Sequence, residues 1–235
     1  QTSFYQRDPW KRLIRTLSLQ NSLTFGTKKE ADESANRINK LHEVINGKDE
    51  VSGGYYDALD HEQLLWVHAC LQISSIYFYE LTVKKLTDYE KNQYHLENIK
   101  AAEMCLIDKN IIPKTHDGLK DWVIEKSRQK DYLMTTDVAE DVKDIIGGGP
   151  VPGHIKPIWP FIAFTAFNTL PKEFKDIYGI KQSKLNNIIL AINLKLLKYT
   201  RPLLPPFFRL IAPARWATQR LRSKPDLLFS DKAKY

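Results

Sequence analysis

The stretch Leu64-Leu65-Trp66-Val67-His68-Ala69-Cys70-Leu71 decides how this chain is read. Extended on both sides, it predicts a helix from about His61 to Val83. At 3.6 residues per turn, Leu64, His68, Leu71 and Ser75 fall near one stripe, with Trp66, Val67 and Cys70 on the neighbouring faces. His68 is therefore expected to point inward. A neutral imidazole in an apolar helix is what a haem iron takes as its protein ligand, and it is equally what a hydrogen-bonded core histidine looks like. The spacing leaves both readings open, because no iron-binding partner motif sits beside it.

Composition sets the limits around that helix. A chain of 235 residues at 43% hydrophobic content can bury a substantial core as one large domain or two small ones. The 35 Lys and Arg against 28 Asp and Glu give a formal charge of +7, which suits nucleic acid, an anionic membrane surface or acidic cofactor groups. Mixed-sign runs such as Lys28, Lys29, Glu30, Asp32 and Glu33 read as solvated helix faces. The two cysteines, Cys70 and Cys105, form neither a disulfide framework nor a zinc-ligand spacing, and are expected to be buried thiols. The chain opens on Gln1 with no secretory signal peptide. No segment reaches the ~20 unbroken apolar residues of a spanning helix. Ile158 to Leu170, and the proline-broken Pro202 to Trp216 with Arg201, Arg209 and Arg215, suit core packing or a membrane interface. An intracellular or membrane-associated location is expected.

Along the chain the helical signals follow one another. Asp8 can cap a helix from Asp8 to Phe25 that places Trp10, Leu13, Ile14 and Leu17 on an apolar face and stops at Gly26. Arg12, Arg15 and Thr16 share its other side, as a basic solvent face or as positive charge facing a buried anion or cofactor. Thr27 to Asn46 carries Ala31, Ala35, Ile38, Leu41 and Ile45 at core spacing. His42 lies near that stripe, either as a pocket residue or as a histidine satisfied by a carbonyl at the helix end. Lys48 to Asp60 reads as a loop, and its glycines match no phosphate-cradling pattern.

Thr87-Asp88-Tyr89-Glu90 is a capping box opening a helix to Ile107, in which Glu97 and Glu103 lack the spacing of a di-iron bundle. Further helices are expected from Thr115 or Asp117 through Ile124, from Asp137 to Ile146, from Pro171 to Tyr178, from Ser183 to Tyr199 and from Phe207 to Arg222. The glycine run from Gly147, continued to Pro157, is the expected hinge within a single domain spanning 1–235. With no alternating strand segments and no internal repeat, the chain reads as all-α.

Several of these segments, taken in order, resemble successive blocks of the MpaB and rubber-oxygenase (latex clearing protein) family. They are Arg7 to Thr16, Thr24-Phe25-Gly26-Thr27, Arg37 to Gly47, Tyr56 to Asp60, Leu65-Trp66-Val67-His68-Ala69, Leu86 to Glu90, Leu170-Pro171 and Pro213 to Ala217. The resemblance spans nearly the whole chain. It implies an all-α domain enclosing a b-type haem, and oxidative cleavage of isoprenoid carbon–carbon double bonds with dioxygen. It also implies His68 as the axial iron ligand, Arg12, Arg15 and Thr16 on the distal side, and His42 lining the pocket. In such proteins a further segment precedes the Asp-Pro-Trp block and carries the glutamate that acts as base in the rubber-cleaving members. Here the chain starts seven residues before Asp8, and that segment is expected to be missing.

The leading expectation is thus a haem b-dependent oxygenase, binding iron through His68 and acting on a hydrophobic, isoprenoid or lipid-like substrate. Trp66, Phe78 and Trp159 are candidates for its substrate channel. The alternative is a non-catalytic family member serving as a structural subunit of a membrane-associated complex. Nucleic acid is not an expected partner, since the basic residues are dispersed and form no compact motif with interleaved aromatics.

Overall fold

The computed structural model describes residues 9–48, 53–129, 136–148 and 151–224. Eleven α-helices run through them: α1 (Pro9–Phe25), α2 (Lys28–Glu43), α3 (His61–Thr82), α4 (Asp88–Met104), α5 (His116–Lys126), α6 (Thr136–Gly148), α7 (Trp159–Thr169), α8 (Lys172–Ile177), α9 (Lys184–Thr200), α10 (Pro206–Arg209) and α11 (Ala212–Ser223). The all-α expectation holds. Its one exception is a two-stranded ribbon, β1 (Asn46–Lys48) antiparallel to β2 (Tyr55–Asp57), with Gly47 opposite Tyr56. This ribbon takes up the end of the expected second helix. That helix stops at Glu43, where Val44 turns its N–H back to the His42 carbonyl.

Local chemistry sets most of the helix starts. Thr27 and Glu30 form a reciprocal capping box at α2, and Thr87 and Glu90 form another at α4. Asp60 accepts from the Gln63 N–H at α3, Thr115 from the Gly118 N–H at α5, and Ser183 from the Asn186 N–H at α9. Asp8, expected to cap α1, lies outside the described residues. Lys84 also reaches Glu90 at 2.6 Å, and this pair with the Thr87 contacts holds the Glu90 carboxyl down to about 2. Thr87→Ala is expected to cost about 1 kcal/mol of stability, read as a lower urea midpoint at unchanged slope.

Between α1 and α2 a glycine is required. A Cβ on Gly26 would run into the Ser22 carbonyl oxygen and the Glu30 side chain, so the hairpin closes only with no side chain there. At the other end of α4 the helix finishes three residues before the expected Ile107. Leu106 turns left-handed, with φ at 61°, and the Ile107 N–H bonds back to the Ala102 carbonyl. The last expected helix is split in two. Pro213 starts α11 afresh after the short α10.

The core lies among α3, α4 and α5, where Leu65, Ala69, Ala102, Ile107, Ile112 and Leu119 pack together. Leu65 and Leu119 are completely buried. The buried stripe of α3 is Leu65, Ala69, Gln72 and Ile76. That is one position away from the expected stripe, and Leu71 and Ser75 are exposed. Around this core α9 packs on α3 and α7, while α1 packs on α2 and α11. Across the glycine run, the Trp159 indole donates to the Ile146 carbonyl at 2.7 Å and ties α7 to α6. Gly149 and Pro150, part of the expected hinge, lie outside the described residues.

Candidate functional site

His68 sits on the shoulder of the α3 core stripe, half-buried rather than pointing straight into the core. Enough protein surrounds its ring for desolvation to lower its pKa from the ordinary 6.5. Nearby His95 lowers it further, while the backbone of Asn98 on α4 pulls it up. The ring is therefore neutral at neutral pH and keeps a lone pair for a metal.

The histidine that fills the core is His95, on α4, which sequence reasoning passed over. It is 1% exposed. Its Nε2–H donates to the Pro113 carbonyl at 2.7 Å, and its Nδ1 accepts from the Gln72 amide at 3.0 Å. Because the Pro113 carbonyl only accepts, the proton belongs on Nε2, and both ring nitrogens are then satisfied. Gln72 comes from the same helix as His68, one turn further on. The pair locks α3 to α4 and to the end of the loop that leads into α5. His116 is also buried; its backbone N–H bonds to Asn92 Oδ1, and its Nδ1 has no partner among the described residues.

His42 lies at the C-terminal end of α2, half-buried, with its pKa lowered by desolvation alone. Its Nδ1 is buried and lacks a hydrogen-bond partner, backbone carbonyls included, among the described residues. The α1–α2 hairpin turns at Gly26, and α1 begins at Pro9 and Trp10. There Trp10 packs edge-on against Trp159, with ring centroids 5.0 Å apart, and its buried indole N–H is likewise without a partner. Each is a buried polar atom that a water or a bound group would satisfy.

Arg12, Arg15 and Thr16 share one side of α1 and are exposed. The apolar face expected opposite them is incomplete, since Leu13, Ile14 and Leu17 are exposed as well. Two surface hollows stand out. One, of about 400 Å³, lies between α1 and α11 and is lined by Ile14, Leu17, Phe25, Trp216 and Arg220 among others. The second surrounds the end of α8. None of Arg12, Arg15, Thr16, His42 or His68 lines either one. The aromatic candidates for a channel are separated too. Trp66 packs against Trp122 of α5 at 6.4 Å, Trp159 packs against Trp10, and Phe78 is exposed.

Burial pushes the Cys70 thiol up to about 11 and raises that of Cys105, so neither is a thiolate at neutral pH. Among the described residues no group of three or more His, Cys, Asp or Glu converges as a metal site. A haem iron needs only one or two protein ligands, so single histidines remain the relevant candidates.

The lowered pKa values of His42, His68 and His116 make stability depend on pH. A histidine with a depressed folded pKa binds its proton more readily when unfolded. Its contribution is therefore intact above 6.5 and falls away as pH drops from there through the folded value. The melting temperature is expected to decline on acidification through this window, and His116→Gln should flatten the decline.

Neither a search of curated proteins nor one of solved structures gave a match. A family profile, described as ER-bound oxygenase mpaB/B'/rubber oxygenase, catalytic domain, matches residues 1–221, and with nearly the whole chain covered the protein belongs to this oxygenase family.

Proposed function

We propose that this chain is a haem b-dependent oxygenase that uses dioxygen to oxidise or cleave a hydrophobic, isoprenoid or lipid-like substrate. Membership of an oxygenase family supports the reaction class. The observation that supports the haem reading is the place of His68, half-buried beside the Leu65–Ala69–Gln72 stripe of α3, with an imidazole that desolvation keeps neutral. Haem iron, when bound, supplies the redox centre at which dioxygen is activated.

His68 is the residue that would hold the iron. His42, with its partnerless Nδ1, is the pocket residue in this reading and the competing candidate for the iron. Arg12 and Arg15 contribute fixed positive charge and Thr16 a hydroxyl donor, and their proposed place is the distal side. Their exposure fits that place less well than burial fits the histidines. It favours a second reading, in which the chain is a family member without catalysis that serves as a structural subunit of a membrane-associated complex. An absorption spectrum of the protein titrated with haemin tests both. A stoichiometric Soret band supports the oxygenase reading; no band, together with unchanged behaviour of His68→Ala, rejects it in favour of the second.

A further inference from the structure

On α9 the residues turned away from α3 and α7 are apolar. Leu185, Ile188, Ile192, Leu196 and Tyr199 are each between 52 and 68% exposed. At 3.6 residues per turn they fall within an arc of about 80°, a continuous stripe along the whole helix. The inward side is fixed independently. Asn193 is buried there and donates to the Thr165 hydroxyl of α7 at 3.2 Å. No turn or cap accounts for the outer stripe, and the stretch that follows repeats its character. Leu203, Phe207, Phe208 and Trp216 are all more than half exposed.

Charge identifies what covers it. Between Lys184 and Lys224 there are nine Lys and Arg and not one Asp or Glu, so this segment alone carries more positive charge than the +7 of the entire chain. Lys184, Lys195 and Lys198 run along one edge of the apolar stripe by the same helical geometry. An apolar stripe edged by lysines, followed by exposed aromatic residues, is the arrangement of a helix lying in the plane of a lipid interface. No helix among the described residues is long and apolar enough to cross a membrane.

We propose that the outer face of α9, with the segment from Leu203 to Trp216, docks on an anionic lipid bilayer. The apolar stripe enters the headgroup and acyl boundary, and the lysines and arginines meet lipid phosphate and carboxylate groups. A nucleic acid would match the charge but not the row of exposed aliphatic side chains.

Flotation with vesicles tests this directly, using the full chain, phosphatidylcholine vesicles with and without phosphatidylserine, and a salt titration. The protein should float with the phosphatidylserine vesicles and release as salt rises. Ile188→Asp with Ile192→Asp should abolish flotation while the circular dichroism and melting temperature stay as in the wild type. Ile188→Ser with Ile192→Ser provides the milder version. Removing Lys195, Lys198 and Arg209 as glutamines should weaken binding on the order of 100-fold, at about five-fold per charge. Equal binding by the double Asp variant, no binding to anionic vesicles, or binding to an oligonucleotide alone would overturn the proposal. So would a concentration-dependent dimer that the Asp variant dissociates, since a second copy would then be the cover. Flotation is read on the protein itself, so its outcome is separate from that of the haem titration.

Discussion

Haemin added to the wild-type protein should raise a Soret band, and His68→Ala should lose it. If His68 holds the iron, its removal deletes the bond itself, so the fall in affinity should exceed the about 10–100-fold that loss of an outer hydrogen-bond partner costs. Free imidazole added to His68→Ala should restore the band, because the cavity left at the shoulder of α3 replaces the ring it lost. His42→Ala should keep a Soret band with an altered position. If the outcomes exchange, so that His42→Ala loses the band and is rescued by imidazole while His68→Ala keeps it, the iron sits on α2 and the assignment to His68 fails. The pH dependence carries a second signature. A proton competes with iron for the ring nitrogen, and desolvation has lowered the pKa of both histidines. Haem binding should therefore persist below the ordinary histidine value of 6.5 before it weakens.

The largest effect on stability is expected from Leu65→Ala. Leu65 is completely buried among Ala69, Ala102, Ile107, Ile112 and Leu119, and two of these neighbours are alanines with no rotamer to swing into the gap. Loss of the side chain together with the cavity left behind should cost about 3 kcal/mol, within the usual 2–5 for a buried leucine. In a domain of this size that lowers the melting temperature by about 2–4 °C per kcal/mol. Leu71→Ala, on the same helix but exposed, should stay within about 0.5 kcal/mol of the wild type. The contrast tests which stripe of α3 faces inward.

That stripe marks where reading the residues stops being enough. Between Leu64 and Leu71 every residue except His68 is apolar, so a helical period has no polar side from which to fix its phase. Packing chose Ala69 and Gln72 for the inside, because a small side chain allows close approach to Ala102 and the amide finds His95. His95 was hidden for a related reason. Its partners, Gln72 and Pro113, are 23 and 18 residues away, and nothing local announces either bond.

The helix starts, by contrast, are written in short motifs. Thr87 with Glu90, Asp60, Thr115, Ser183 and the break at Pro213 each act within one turn, and the chain follows them. The common side of Arg12, Arg15 and Thr16 could likewise be read from spacing. What that side faces is set by the packing of other helices around α1, and in the structure all three residues are exposed.

The Arg220 guanidinium donates to the Phe25 carbonyl, joining residues 195 positions apart. Most other helix contacts among the described residues are made between nearer neighbours in the chain, whereas this clasp helps to shut a loop of nearly two hundred residues between α1 and α11. The entropy of closing a loop grows only logarithmically with its length, so the clasp is affordable, yet it is won late, after the intervening helices have shortened the span. By the same logic it is the natural place to open first. Amide exchange along α11 should proceed as a unit through undocking from α1, well before the α3–α5 core gives up its protons.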